Sequence, residues 1–333
     1  MSIMFIAWSR LSRRSRDLAE LLNARLMFIP SRAPYLSAFV RTWRYLKEMK
    51  PETVFIQLPQ GPLLWEVLNL SRSMKFRVVA DVHTGFVYLT SLRSFILNKP
   101  FHKLLNKTAL VLAHNDPQKI FMINYLKLDE SKVITVYDPL PKRLNTLVKP
   151  EINGLKPQNF IVLPASWATD EPLDFVVKEF LRSRVSRDYI LVITNEYNRN
   201  RNLYNKVLNI ISREKAHNIV FTGYLSREKY YWLIENSIMI IAVTNREYTM
   251  LSAIWEAVAY NKPFITSETN TLRAVIGTYP CFFQMREGSL RNILDKCVYS
   301  ISVNEVRTTL DRLKELSITS IEELKKLLTE TSS

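Results

Sequence analysis

Short apolar runs alternate with amphipathic stretches along the whole chain, and the alternation breaks only once. Residues 3–8, 26–29, 53–57, 76–82, 110–113 and 133–136 read as strands, separated by helical patterns such as 15–23, 35–49, 61–71 and 116–126. Segment 138–158 then carries Pro139, Pro141, Pro150, Pro157 and Gly154 with few large apolar residues, the composition of a linker. A second series follows, with strands at 160–163, 189–194, 219–222, 237–243 and 263–266 and helices between them. Strands that alternate with helices form parallel sheets covered on both faces. The pattern therefore predicts an α/β protein of two domains, 1–138 and 159–300, with a linker over 139–158 and C-terminal helices over 301–333. Folds of this class bind ligands outside the carboxyl ends of the strands, so the loops that follow strands are the places to look for chemistry.

Composition narrows the chemistry. Apolar residues make up 47% and charged residues 23% of the 333, the balance of a folded protein. The six glycines (61, 85, 154, 223, 277 and 288) are too far apart for the common Gly-rich phosphate cradles. Cys281 and Cys297 are too few for a disulfide scaffold or a Cys-based zinc site, and the four histidines show no ligand spacing. The longest apolar runs, 3–8 and 238–243, fall far short of the ~20 residues of a membrane span, and no signal-peptide pattern is visible. The net charge is +15, of which residues 1–150 hold +13 and residues 151–333 only +2. So lopsided a distribution points to an anionic surface or substrate at the N-terminal half.

Five constellations stand out, four of them at or just after predicted strand-end loops. After the strand ending near Val243, Arg246, Thr249, Leu251 and Ser252 precede a helix whose amino end suits a diphosphate. Glu256, four residues after Ser252, lies on the same face, where a carboxylate can accept the hydroxyls of a ribose. After the first strand of the second domain, Ser166 offers a hydroxyl and Trp167 a flat face for a sugar or base. At the end of a first-domain strand, Asp81 and His83 form a D-V-H-T-G string: the imidazole can remove a proton, Asp81 can orient it, and Gly85 leaves room for a substrate. Arg13, Arg14 and Ser15 belong to an arginine-rich turn that could grip a pyrophosphate. Segments 39–50 and 86–107 mix aromatic and aliphatic with basic residues, as helices resting on anionic lipid do.

Segment 219–267 resembles the donor-nucleotide region of GT-B glycosyltransferases of the family 4 type. The match runs through Val220-Phe221-Thr222-Gly223-Tyr224, the strand near 239–243 and the string ending E-A-V-A-Y-N-K-P. Glu256 matches the ribose-binding glutamate, whereas Glu247 stands nine positions before it rather than the usual eight. The string S-W-A-T-D-E from Ser166, and D-V-H-T-G from Asp81, resemble signatures of the β-mannosyltransferase that extends dolichol-linked chitobiose. The Arg/Lys pair that many relatives carry in the first of these loops is missing.

The resemblance implies a GT-B architecture, two Rossmann-like domains facing a central cleft. It implies a glycosyltransferase that moves a sugar from a nucleotide-sugar donor to a membrane-associated, lipid-linked glycan acceptor. His83 and Asp81 are then catalytic; Ser166, Trp167, Arg246, Thr249, Leu251, Ser252 and Glu256 bind the donor; Arg13, Arg14 and Ser15 bind the acceptor. No metal or other cofactor is expected, the nucleotide sugar being a co-substrate. The expected location is cytoplasmic, peripherally on an anionic membrane surface, with no nucleic-acid partner. The alternatives are a non-catalytic nucleic-acid binding protein, using the same charge, and a nucleotide-sugar epimerase on the same fold.

Overall fold

The computed structural model describes residues 2–330, which form two compact units, one up to Pro139 together with residues from Leu316 on, the other spanning Leu140–Glu315. The first unit holds strands β1 (Ile3–Trp8), β2 (Arg25–Ile29), β3 (Thr53–Leu58), β4 (Arg77–Val82), β5 (Leu110–Ala113) and β6 (Val133–Thr135). They make one parallel sheet in the order β2-β1-β3-β4-β5-β6. β3 is buried at every position, as a central strand covered on both faces must be. The period-2 pleat sorts its neighbours onto two cores. Met4, Ile6, Trp8, Val54, Ile56 and Leu58 pack on one face. Phe5, Phe55, Val79 and Leu112 pack on the other, against Leu18 and Leu22. That second core is completed from the far end of the sequence. Ile321, Leu324 and Leu328, at three- and four-residue spacing, come from the last part of the helix Val303–Glu330. Of the region 301–333 expected as separate C-terminal helices, residues 331–333 lie outside the described residues, and Val303–Glu330 is this single helix, whose residues up to Glu315 belong to the second unit and whose remainder belongs to the first.

The second unit repeats the plan with β7 (Phe160–Leu163), β8 (Ile190–Ile193), β9 (Ile219–Phe221), β10 (Met239–Ala242), β11 (Phe264–Ser267) and β12 (Phe282–Phe283), ordered β12-β11-β10-β7-β8-β9 and all parallel. β12 has only two residues, too few to leave a periodic signal in sequence. The proline-rich segment contains no helix or strand between β6 and β7, and from Leu140 on it is counted with the second unit. Cys281 and Cys297 are too few for a disulfide scaffold, but they are bonded to each other. Their single bond ties the residue before β12 to the helix Ser289–Ser300.

Segment 86–107 folds differently from a single interfacial helix. It contains the end of the helical turn Thr84–Val87, the helix Leu92–Asn98 and the 3-10 stretch Lys99–Lys107. Phe86, Val87, His102 and Leu105 are buried in the first unit, while Leu92, Phe95 and Ile96 are exposed. Gly61 permits this packing: a Cβ there would stand 2.2 Å from the Phe101 ring and 2.4 Å from the Leu97 carbonyl oxygen.

Candidate functional site

In the first unit the chemistry gathers where β1, β4 and β5 end. Asp81, the penultimate residue of β4, is fully buried. Its Oδ1 accepts from Arg14 Nε at 2.9 Å, and its Oδ2 from Ser15 Oγ at 3.3 Å. His83 Nε2 lies 3.4 Å from Oδ2, and His114 Nε2 lies 3.5 Å from Oδ1. β4 and β5 are paired neighbours, with Asp81 opposite Leu112, which is why residues so far apart in sequence meet. The two imidazoles touch edge to face, ring centroids 4.5 Å apart. Buried Gln118 fixes this corner: its Oε1 accepts from the His114 backbone N–H at 2.8 Å, and its Nε2 donates to the Val82 carbonyl at 2.9 Å.

The electrostatics of the cluster follow from burial and one guanidinium. Burial alone would push the Asp81 carboxyl up, but Arg14 and the two imidazoles outweigh it and hold it well below the usual carboxylate range. His114 is pushed down to about 4, first by burial and then by the guanidinium of Arg14 and the neighbouring His83 imidazole. His114 is therefore neutral at pH 7. His83 keeps 21% of its side chain exposed and is the member of the cluster best placed to meet a substrate proton. Asp81, His83 and His114 present ligand atoms within 4.8 Å of one another, a grouping that sequence spacing did not show. Arg14 already holds the shared carboxylate, and its charge would repel a divalent cation, so the donor set fits a hydrogen-bonded network better than a metal.

The structure removes Arg14 and Ser15 from any acceptor grip. Arg14 is 2% exposed and also donates through Nη1 to the Val136 carbonyl at 2.7 Å and to Asp138 Oδ1 at 3.0 Å. Ser15 is fully buried. Arg13 is spent on Asp17 Oδ2 and the Pro139 carbonyl, each at 3.0 Å. The reason is the facing of the helix Arg13–Leu21, which turns Arg14, Ser15, Leu18 and Ala19 inward. These residues build the support of Asp81.

In the second unit a cavity of about 330 Å³ opens after β7 and β10. Ser166, Thr249, Leu251, Ser252 and Glu256 line it together with Tyr230. The helix Ser252–Tyr260 has Leu251 as its N-cap residue and no side-chain cap. Glu256 is 6% exposed, and the Tyr230 hydroxyl donates to its Oε2 at 2.5 Å. Arg246 is half-buried in the preceding loop and does not line the cavity. Glu247 is engaged elsewhere, accepting from the backbone N–H groups of Asn270 and Thr271.

Trp167 does not offer the flat face expected of it. It is 1% exposed, its backbone takes the left-handed region (φ 55°), and its Nε1 donates to the Thr194 carbonyl at 3.2 Å. The indole packs against Tyr204 and Phe221, which leaves no free face for a ligand. Where relatives of the resembled type carry a basic pair, this loop is organised by an acid. Glu171 accepts from the Ser166 N–H at 2.8 Å and from Ser166 Oγ at 2.7 Å. Burial pushes its carboxyl up despite those bonds. Sequence reasoning missed His114, Gln118, Tyr230 and Glu171. Of these only Glu171 stood in a quoted string, as the last residue of S-W-A-T-D-E, and no role was assigned to it there.

Among solved structures the chain is similar over its whole length to several sugar-handling proteins. HepE of Anabaena, in complex with UDP and glucose, superposes with a TM-score of 0.74 at 10% identity, over 98% of this chain and all of that one. The fold is GT-B. Sucrose-phosphate synthase from Thermosynechococcus elongatus gives 0.73 at 12% identity, over 99% of both chains. A glycosyltransferase from Rickettsia africae gives 0.72 at 14%, over 99% of this chain and 98% of that one. No protein-family model matches the chain, and no curated protein matches it in sequence. The likeness to family 4 and to the chitobiose-extending enzyme therefore rests on the local strings alone.

Proposed function

We propose that the chain is a GT-B glycosyltransferase that moves a sugar from a nucleotide-sugar donor to a membrane-associated, lipid-linked glycan acceptor. The observation that carries the donor half is the second-unit cavity. There Glu256 lies one turn inside a helix that has no side-chain cap, within a fold shared with proteins solved with UDP and UDP-glucose. Glu256 Oε1 and Oε2 accept ribose hydroxyls, and the uncapped helix end with Thr249 and Ser252 receives the diphosphate. In the transfer step the acceptor oxygen attacks the anomeric carbon, and His83 takes the acceptor's proton. The carbon–oxygen bond to the diphosphate breaks with its electron pair going to the departing nucleotide, whose charge the helix end stabilises. Asp81, held by Arg14, supports the imidazolium that forms. The reading calls for no metal.

The acceptor half is supported by the surface of the first unit. Among the described residues no helix is long and apolar enough to cross a membrane. Leu36 and Leu92 are nonetheless 71% and 75% exposed, and Val40, Trp43, Phe95 and Ile96 are exposed beside Arg41, Arg44, Lys47 and Lys99. Such a surface suits peripheral contact with anionic lipid. A thermal-shift screen against nucleotide sugars, UDP-glucose first, tests the donor half: a true donor raises the melting temperature by mass action, and no response to any of them ends the reading. Sedimentation with vesicles tests the surface: the chain pellets with anionic vesicles, not neutral ones, and salt releases it.

A further inference from the structure

With Arg14 and Ser15 buried beneath Asp81 and Arg13 committed to neighbouring carboxylate and carbonyl oxygens, the anionic part of an acceptor needs another home. Another cavity, about 470 Å³ and in the first unit, is lined by Arg32, Arg93, Gln60, Gly85, Leu97 and Asn98 among others. We propose that it binds a phosphate-headed amphiphile, with Arg32 and Arg93 on the phosphate and Gln60 on a hydroxyl next to it. The proposal rests on the transferase reading above, whose acceptor it places.

Three independent features converge on this chemistry. Arg32 and Arg93 are exposed, and their guanidinium groups make no ion pair or hydrogen bond among the described residues, unlike Arg13 and Arg14. Two unspent guanidinium groups at one cavity favour a dianion, which each can hold through two parallel N–H donors. Gln60 is only 7% exposed, yet its Oε1 has no hydrogen-bond partner. A buried acceptor left unpaired is costly, and a ligand hydroxyl removes that cost. The third feature is apolar. Leu36 follows the lining residue Tyr35, and Leu92, Phe95 and Ile96 flank the lining residues Arg93, Ser94 and Leu97. All four are more than half exposed. A cationic pocket with hydrocarbon at its edge fits an anionic head carrying a chain better than it fits a free ion.

The fold fixes the cavity and sets it beside the candidate base. Asn98 accepts from the Gly61 N–H at 3.1 Å and donates to the Gly85 carbonyl at 3.4 Å, so it pins the helix Leu92–Asn98 to the first residue of the helix Gly61–Met74 and to the helical turn Thr84–Val87. Gly85 stands two residues after His83. A Cβ at Gly85 would meet nothing nearer than Pro59 Cβ at 3.8 Å, so packing alone does not demand glycine there. An acceptor bound on Arg32 and Arg93 would thus have its reacting end near the D-V-H-T-G loop.

Calorimetric titration of the whole chain with decyl phosphate, inorganic phosphate and decyl maltoside tests the site. Decyl phosphate should bind more tightly than either comparator. Replacing both arginines (Arg32→Ala with Arg93→Ala) should weaken it at least about tenfold while the melting temperature stays put, because both positions are exposed. Restoring charge with Arg32→Lys and Arg93→Lys should recover part of the affinity. Undiminished binding in the double alanine variant overturns the proposal. So does inorganic phosphate binding as tightly as decyl phosphate, which would make this a free-anion site. Decyl maltoside binding equally well would make it a merely apolar surface and overturns the proposal too. The double variant should still be stabilised by the nucleotide sugar. A wild-type chain that binds decyl phosphate but no nucleotide sugar would defeat the transferase reading and leave this site standing.

Discussion

Two regions of the same architecture use polar residues in opposite ways. At the strand ends of the first unit, charged side chains are buried against one another: Arg14 between Asp81 and Asp138, with His83 and His114 on the same carboxylate. At the corresponding ends of the second unit, no lysine or arginine lines the cavity. Its carboxylates are held by neutral donors, Glu256 by Tyr230 and Glu171 by Ser166. The first arrangement is stiff and sensitive to proton uptake, because breaking any pair leaves a charge in a low-dielectric interior. The second leaves hydroxyls and a helix end for a ligand. The lesson is that net charge is a poor guide to a site. The half that carries +13 spends its best-placed arginines on itself.

The contrast can be broken most forcefully at Arg14. Arg14→Leu takes the guanidinium from between two buried carboxylates, leaving Asp81 only Ser15 and the two imidazoles and Asp138 only the longer contact to Arg13, and should cost about 3–5 kcal/mol in urea unfolding. A loss below about 1 kcal/mol would mean that the network is not what organises the first unit. Next comes its pH dependence. His114 titrates near 6.5 when unfolded but is pushed down to about 4 in the fold, so between those values only the unfolded chain binds the proton. Its contribution is complete above pH 6.5 and is lost as pH falls toward 4, up to roughly 3 kcal/mol on the scale of about 1.36 kcal/mol per pKa unit. His114→Gln should flatten that part of the stability curve, and an unchanged curve would place the proton elsewhere. The smallest effect belongs to the second unit. Glu256→Ala should weaken nucleotide-sugar binding about tenfold, as the loss of one charged hydrogen-bond acceptor does, with little change in melting temperature. Unchanged donor affinity would sink the ribose assignment.

Much of the fold was legible because a parallel sheet writes itself plainly. Strands buried on both faces appear as short apolar runs, and β1, β5 and β7 fall at the boundaries read from sequence. What stayed hidden depends on facing and on long-range pairing. The arginine-rich turn looked solvent-facing until the helix from Arg13 fixed which of its residues point inward. His114 meets Asp81 only because β4 and β5 are neighbours, a fact no local spacing carries. Trp167 looked like a ligand platform since it stands in a strand-end loop, but its left-handed backbone turns the indole into the core. Glu256, one helical turn from a loop that begins with a strand end, was read as a ligand residue from its spacing and from its match to the ribose-binding glutamate, and it lines the cavity.

Turnover tests directly whether His83, at the first unit's strand ends, is the base that activates an acceptor for sugar transfer. Wild-type chain and His83→Ala are incubated with radiolabelled UDP-glucose, or with whichever donor the thermal screen selects, and a membrane lipid extract, and label entering the organic phase is counted. Acceptor-dependent incorporation is expected from the wild type, and a loss of about 100-fold or more from His83→Ala with donor binding intact, the scale of a general base. Incorporation by His83→Ala above roughly a tenth of the wild-type rate would contradict it.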